Sequence, residues 1–464
     1  MHSHRIFDPD KNVRLIADKL YESIRELPLI CPHGHVDPQL FARNIPFENP
    51  TDLLIRPDHY ILRLLYSRGI RLAELGIASK DAAADVDPAR VWQIFADNYF
   101  LFHGTPTGVW LSYVFSEIFN IPEPLNQHNA MVFYDHLNAE LRKPEFLPRA
   151  LYNRFNIEVL TTTDAATDSL SAHTAIRSSK WNGKVIPCFR PDQIIKTYTP
   201  GWGNAVQRLG EMVGWKINSY QSYIKAIEER RKYFKRMGAV STDHDVMIPY
   251  TARLQESVAE KIFQRALHSK ANENDTAAFE AHMLMEMARM SVDDGLVMQI
   301  HPGIYRNHNN MLYKEFGPDM GGDIPVQVEF TRNLHNLLNA YGNDQSFQLV
   351  VFTLDESTYT RELAPMAGHY PALKLGPAWW FNDSIEGMTR YRKMVTESSS
   401  IYNTAGFNDD TRALLSIPAR HDLCRRIDCN WLAQQVARHI IDMDAAQHMA
   451  YELTNGLVKK TYNL

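Results

Sequence analysis

The chain is 464 residues long, with 49 Lys plus Arg against 54 Asp plus Glu and a formal charge of −5. That mild acidity excludes general nucleic-acid binding driven by counterion release, which needs a strongly basic face, and leaves small neutral or anionic substrates open. At 45% hydrophobic and 22% charged residues the composition is far from the disordered regime and supports a large core.

The N-terminus, MHSHRIFDPDKNVR, carries charges where a secretory signal needs its apolar segment, so the expected location is the cytoplasm. The longest uncharged stretch, 98–116, holds His103, Gly104, Pro106 and Gly108 and does not read as a membrane span. Four cysteines, Cys31, Cys188, Cys424 and Cys429, make no disulfide framework. Cys424 and Cys429 lie on one expected helix and read as packing residues. An assembly of identical subunits is expected, as for many cytoplasmic enzymes.

In chain order, apolar runs at 27–31, 157–161, 185–189, 237–240, 296–300, 347–352, 372–378 and 401–407 are candidate strands. Those at 237–240 and 401–407 are weak, because both contain Gly and few β-branched residues. Segments such as 205–235, 251–290 and 326–340 mix charged and apolar residues at helical spacing. This alternation predicts an α/β fold, most simply a (β/α)8 TIM barrel. Residues 37–154 show no strand. They read as a helical insertion after strand 1 that caps the C-terminal mouth, with 1–36 and 155–464 forming the barrel.

The strongest chemical signal is an apolar run ending in His33-Gly34-His35. Strand residues two apart share a face about 7 Å apart, so two imidazoles can converge on one metal ion. A second His-x-His, His2 and His4, lies at a terminus without an apolar run and reads as a solvated tail. A catalytic metal takes three protein ligands, often with one carboxylate. Strand 8 lies beside strand 1 in a closed barrel, which makes Asp410 the leading carboxylate; Asp409 also satisfies the spacing and Asp383 is weaker. Further strand ends carry Arg190 and Asp192, Asp243 and His244, and His301 with Arg306. Arg190, Arg306 and Arg412 suit a substrate carboxylate, since a guanidinium matches it with two parallel hydrogen bonds. No G-x-G-x-x-G turn, Walker A sequence or G-x-S-x-G elbow is present, so the sequence indicates no nucleotide cofactor and favours metal-assisted acid–base chemistry.

These residues sit in motifs that resemble the uronate (glucuronate) isomerases, a non-hydrolytic branch of the amidohydrolase superfamily. The motifs are CPHGH (31–35), His59-Tyr60 in RPDHY, FRPD (189–192), TDH (242–244), HPGIYRNHN (301–309), GPAWWFND (376–383), and DDTR followed by ARHDLCRR (419–426). The resemblance implies a metal-dependent-hydrolase type of (β/α)8 barrel and interconversion of D-glucuronate with D-fructuronate or of D-galacturonate with D-tagaturonate. It implies His33, His35 and Asp410 as ligands of one divalent metal, zinc being the first expectation. It places His59, Tyr60, Arg190, His301, Trp379 and Arg412 around the sugar acid, and leaves the role of Asp243 open. Tyr60 and Asp410 are the two candidates for the base at C2, and His301 is a candidate donor to a substrate oxygen. Two other readings are a metal-dependent hydrolase of the same superfamily and a sugar-acid-binding protein without catalysis.

Overall fold

A computed structural model describes residues 2–464. Seven parallel strands form one curled sheet: β1 (Leu29–Cys31), β2 (Ile157–Ala165), β3 (Val185–Arg190), β4 (Ser241–Val246), β5 (Val297–Pro302), and, after a hairpin of β6 (Ile304–Tyr305) and β7 (Ile324–Pro325), β8 (Leu349–Val351) and β9 (Leu373–Leu375). The sheet order is β1-β2-β3-β4-β5-β8-β9, each strand pairing parallel with the next. Helices link the strands, giving a TIM-barrel-like α/β fold. Ile30, Val159, Ile186, Val297 and Val350, one from each of five strands, cluster with Phe352, Val458 and Tyr462. Each of the five contributes a β-branched side chain suited to a pleated, buried surface.

The eighth position differs from the expected strand at 401–407. Ile401–Asn403 is a 3-10 turn, and the sheet continues there through one bridge, Leu375 to Thr404. The Ala405 N–H donates to the Leu375 carbonyl at 2.8 Å, and the His35 N–H donates to the Thr411 carbonyl at 2.9 Å. The ring therefore closes through an irregular segment. Left-handed residues Ser400 (φ +61°) and Gly406 (φ +77°) prevent a regular ladder.

Two further expectations shift. The strand expected at 237–240 lies instead at β4, whose sequence STDHDV is polar yet wholly buried. Hydrophobicity misses it because polar side chains fill it, paired in part with one another and with neighbours: Thr242 Oγ1 lies 3.0 Å from His244 Nε2, and Asp243 is paired to His301. Within 326–340 only His335–Tyr341 begins a helix, because Glu329 caps the preceding turn by accepting from the Arg332 N–H.

Between β1 and β2 the chain forms helices and no strand. Their aromatic residues, including Trp92, Phe95, Phe102, Phe115 and Phe133, share one core with Leu29, Cys31, Ile157 and Leu160 of the β1–β2 edge. The insertion is thereby seated on the sheet by a common apolar core. All four cysteines are buried and free, and Cys424 and Cys429 pack within the helix Ile417–Ala437. Among the described residues no helix is long and apolar enough to cross a membrane.

Candidate active site

A cavity of about 920 Å³ opens at the C-terminal ends of the strands. It is lined by every residue that the motifs place at the site: His33, His35, His59, Tyr60, Arg190, Asp243, His301, Trp379, Asp410 and Arg412. His2 and His4 lie far from it in sequence and are exposed, with His4 Nδ1 2.9 Å from Asp18.

His33 and His35 follow directly on β1. Their Nε2 atoms lie 3.4 and 3.1 Å from Asp410 Oδ1. That oxygen is buried and makes no hydrogen bond of good geometry among the described residues. Two imidazole nitrogens converging on one carboxylate oxygen form a donor set able to hold a divalent cation. Asp410 stands at φ +38°, a left-handed conformation that is costly for a side chain with a Cβ, and it turns its carboxylate toward the histidines. Its neighbour Asp409 turns to the opposite side, accepting from His421 Nε2 at 3.1 Å beside Cys31. The two candidate carboxylates of the sequence thus divide, and only Asp410 meets His33 and His35.

The charges interlock. Burial opposes ionisation of His33, yet the Asp410 and Asp243 carboxylates raise its pKa well above the usual histidine range. Burial wins at His35, whose pKa is lowered. Asp410 is held well below the usual carboxylate range by His33 and His35 in spite of burial. Asp243, buried at the end of β4, accepts from His301 Nδ1 at 2.7 Å and lies 3.3 Å from Arg190 Nη1. The Arg190 guanidinium and the hydrogen bond from His301 hold Asp243 well below the usual carboxylate range against its burial. His301 gives its Nδ1 proton to that carboxylate, and its buried Nε2 has no partner among the described residues.

The two arginines differ. Arg190 is bonded to Asp192 at 2.6 Å and lies near Asp243 and Asp245, so it brings a paired charge. Arg412 is half-exposed and pairs at 3.1 Å with the equally exposed Asp319. An exposed pair of this kind contributes little stability. Trp379 stands edge-on to His301 at 4.7 Å, and Phe352 stacks on the same imidazole at 3.9 Å. Trp380 contacts His59 at 4.9 Å and lies under Arg306 at 5.4 Å.

Tyr60 belongs to the helix His59–Ser67, whose N-cap Asp58 accepts from the Tyr60 N–H at 2.8 Å. The cation that would make this phenol a base is not what its hydroxyl meets. Instead it donates to Asp383, at 3.2 and 3.1 Å from the two carboxylate oxygens. Burial and then Asp383 push its pKa well above the usual phenol range, so Tyr60 is neutral. His59 is also neutral: burial and the nearby Arg412 lower it to about 3.

Sequence reasoning missed Arg420, Trp110 and the service of Asp383 to Tyr60. Arg420 was legible only as part of ARHDLCRR, and Trp110 lies in the insertion outside its one site motif, RPDHY.

The family profile described as glucuronate isomerase matches residues 12–459. A uronate isomerase of Nostoc punctiforme is 51% identical over 461 residues, covering 99% of this chain and 98% of that protein. The crystal structure of a glucuronate isomerase from Caulobacter crescentus superposes with a TM-score of 0.98 at 48% identity, over 100% of this chain and 97% of that one. A Thermotoga maritima uronate isomerase structure shares the fold with a TM-score of 0.93 at 24% identity, over 100% of this chain and 99% of that one. With this near full-length match and the histidine–aspartate cluster at the mouth of the barrel, the chain belongs to the uronate (glucuronate) isomerase family of aldose–ketose isomerases.

Proposed function

We propose that the protein converts the linear form of D-glucuronate to D-fructuronate, that of D-galacturonate to D-tagaturonate, or both, with His33, His35 and Asp410 holding one divalent metal, zinc in our reading. The convergence of these three side chains in a cavity that Arg190 and Arg412 also line carries the reading. Aldose–ketose isomerisation moves the C2 proton to C1 and the O2 proton to O1, and needs no redox cofactor. When bound, the metal supplies Lewis acidity to substrate oxygens near the reacting end.

Asp410 is the base at C2 in this reading, because its carboxylate lines the cavity beside His33 and His35, whereas Tyr60 spends its O–H on Asp383. Arg190 and Arg412 hold substrate oxygens, at least one of them the carboxylate, and so provide binding energy remote from the chemistry. His301, oriented by Asp243, addresses a substrate oxygen, while Trp379 fixes the His301 ring and walls the cavity. The enzyme acts in the cytoplasm as an assembly of identical subunits.

Proton NMR in D2O with each uronate tests the function. Ketose signals with loss of the C2 proton are expected, and the faster substrate is the preferred one. Absence of ketose and of exchange from protein with metal verified by elemental analysis would overturn the reading and favour hydrolase chemistry.

A further inference from the structure

Asp410 stands at φ +38°, a conformation that persists only where its surroundings impose it. Residues 405–411 carry no regular secondary structure, so no ladder holds the backbone there. On the C-terminal side the Thr411 carbonyl accepts from the His35 N–H at 2.9 Å, which ties Asp410 to one of its own histidine partners. On the N-terminal side the tie is Asp409. Its carboxylate accepts from His421 Nε2 at 3.1 Å and its carbonyl from Arg420 Nη1 at 3.2 Å, both on the helix Ile417–Ala437. His421 Nε2 also lies 3.8 Å from Cys31 Sγ, at the end of β1 two residues before His33. Asp409, His421 and Cys31 are only 3%, 4% and 1% exposed, and Phe407 meets the imidazole edge-on at 5.0 Å. Sulfur, nitrogen and oxygen lie within 4.8 Å of one another in this group. A structural metal centre takes four such ligands, and here the imidazole nitrogen faces a carboxylate and carries its proton, so the group is a hydrogen-bonded anchor.

We propose that Asp409 and His421 are positioning residues of the metal site: their hydrogen bond, seated against Cys31 of β1, holds the 409–410 peptide so that the next carboxylate, Asp410, meets His33 and His35. This rests on the reading of His33, His35 and Asp410 as the ligands of one divalent metal, and deepens it. The anchor joins the strand that precedes both histidines to the helix that follows the carboxylate, so it sets the distance between the two halves of the ligand set. Without it Asp410 relaxes toward an ordinary φ, and that rotation carries its carboxylate away from the imidazoles. A buried pair that only braced the fold would lower the melting temperature when broken and leave metal affinity unchanged, because His33, His35 and Asp410 are all still present. Side chains that orient metal ligands from behind typically contribute about 10- to 100-fold in affinity.

The test is the zinc affinity of the full-length, metal-stripped protein, measured by competition with a chelator, for wild type, Asp409→Ala and Asp409→Asn, with thermal melting followed in parallel. Asp409→Ala should bind zinc at least about tenfold more weakly than wild type, and a smaller loss overturns the proposal. Asp409→Asn keeps an oxygen that accepts from His421, so its affinity should stay within about threefold of wild type. If it falls as far as that of Asp409→Ala, the carboxylate acts through its charge and not as an anchor, and the proposal fails. Should Asp409→Ala lack a cooperative melting transition, His421→Phe takes its place, since it keeps a ring against Phe407 and offers no N–H; the same tenfold loss decides. Wild-type protein that binds no zinc would instead remove the reading of His33, His35 and Asp410 as ligands, which is distinct from tight wild-type binding that the variants leave unchanged.

Discussion

Asp409 and Asp410 are chemically identical and adjacent, yet they serve different neighbours. The left-handed backbone at Asp410 sends its carboxylate to His33 and His35, while Asp409 faces His421 and Cys31. Asp410→Asn keeps the volume and removes the charge, so turnover should fall at least about 1,000-fold, since both metal binding and the base are affected. The check is ketose formation with metal content measured in parallel, and activity within about tenfold of wild type would remove Asp410 from the mechanism. Trp379→Phe is a milder change, because a phenyl ring keeps apolar contact with His301 but shrinks one wall of the cavity. A rise in KM of severalfold with kcat within about threefold is expected in steady-state kinetics. His-x-His after an apolar run was legible because its members are neighbours in the chain, although the strand ends at Cys31 and the two histidines stand in the segment just beyond it. Arg420 was not, because its meaning depends on Asp383 and Trp110, 37 residues away in one case and across the insertion in the other.

Strand β2 shows how an element can carry a titrating group away from the chemistry. Its Asp164 accepts from Thr162 Oγ1 at 2.7 Å, and the same hydroxyl lies 2.8 Å from His173 Nε2 on the helix Ser171–Ser178. Burial raises Asp164 to about 7 from its ordinary 3.8, so its ionised form is disfavoured by folding. The folded protein therefore binds this proton more tightly than the unfolded one. Its contribution to stability is fully present below about pH 4, declines between about pH 4 and 7, and is lost above that range. Asp164→Asn keeps an acceptor for Thr162 and removes the titration. Calorimetry should show the variant gaining on wild type as pH rises from about 4 to 8, by on the order of 4 kcal/mol at the upper end. Equal differences at both pH values would contradict this reading. The polar strand β4 makes a related point about prediction: sequence hydrophobicity finds a strand that begins on an apolar run, as β2, β3 and β5 do, and misplaces β4, whose buried residues are mostly polar.

The ring as a whole depends on a short irregular closure between β9 and β1. Gly406 adopts φ +77°, and a Cβ there would lie 2.4 Å from Val458 Cγ2 and 3.1 Å from the Val458 nitrogen. Gly406→Ala combines an unfavourable backbone conformation with a clash against the C-terminal helix, so a loss of about 2–4 kcal/mol is expected in denaturant unfolding. Activity should fall with it, because Asp410 follows four residues later; unchanged unfolding would show that the closure tolerates a regular strand.

By itself the sequence determined the alternation of strands and helices, the insertion of helices after β1 and the residue types at the strand ends. These follow from local periodicity and from motifs whose members are neighbours along the chain. Only the tertiary structure decided that seven paired strands and an irregular segment close the ring, that Asp410 rather than Asp409 meets the histidines, and that Tyr60 faces Asp383 instead of a cation. Each of these depends on groups distant in sequence approaching within hydrogen-bonding range, and on which of them burial leaves charged.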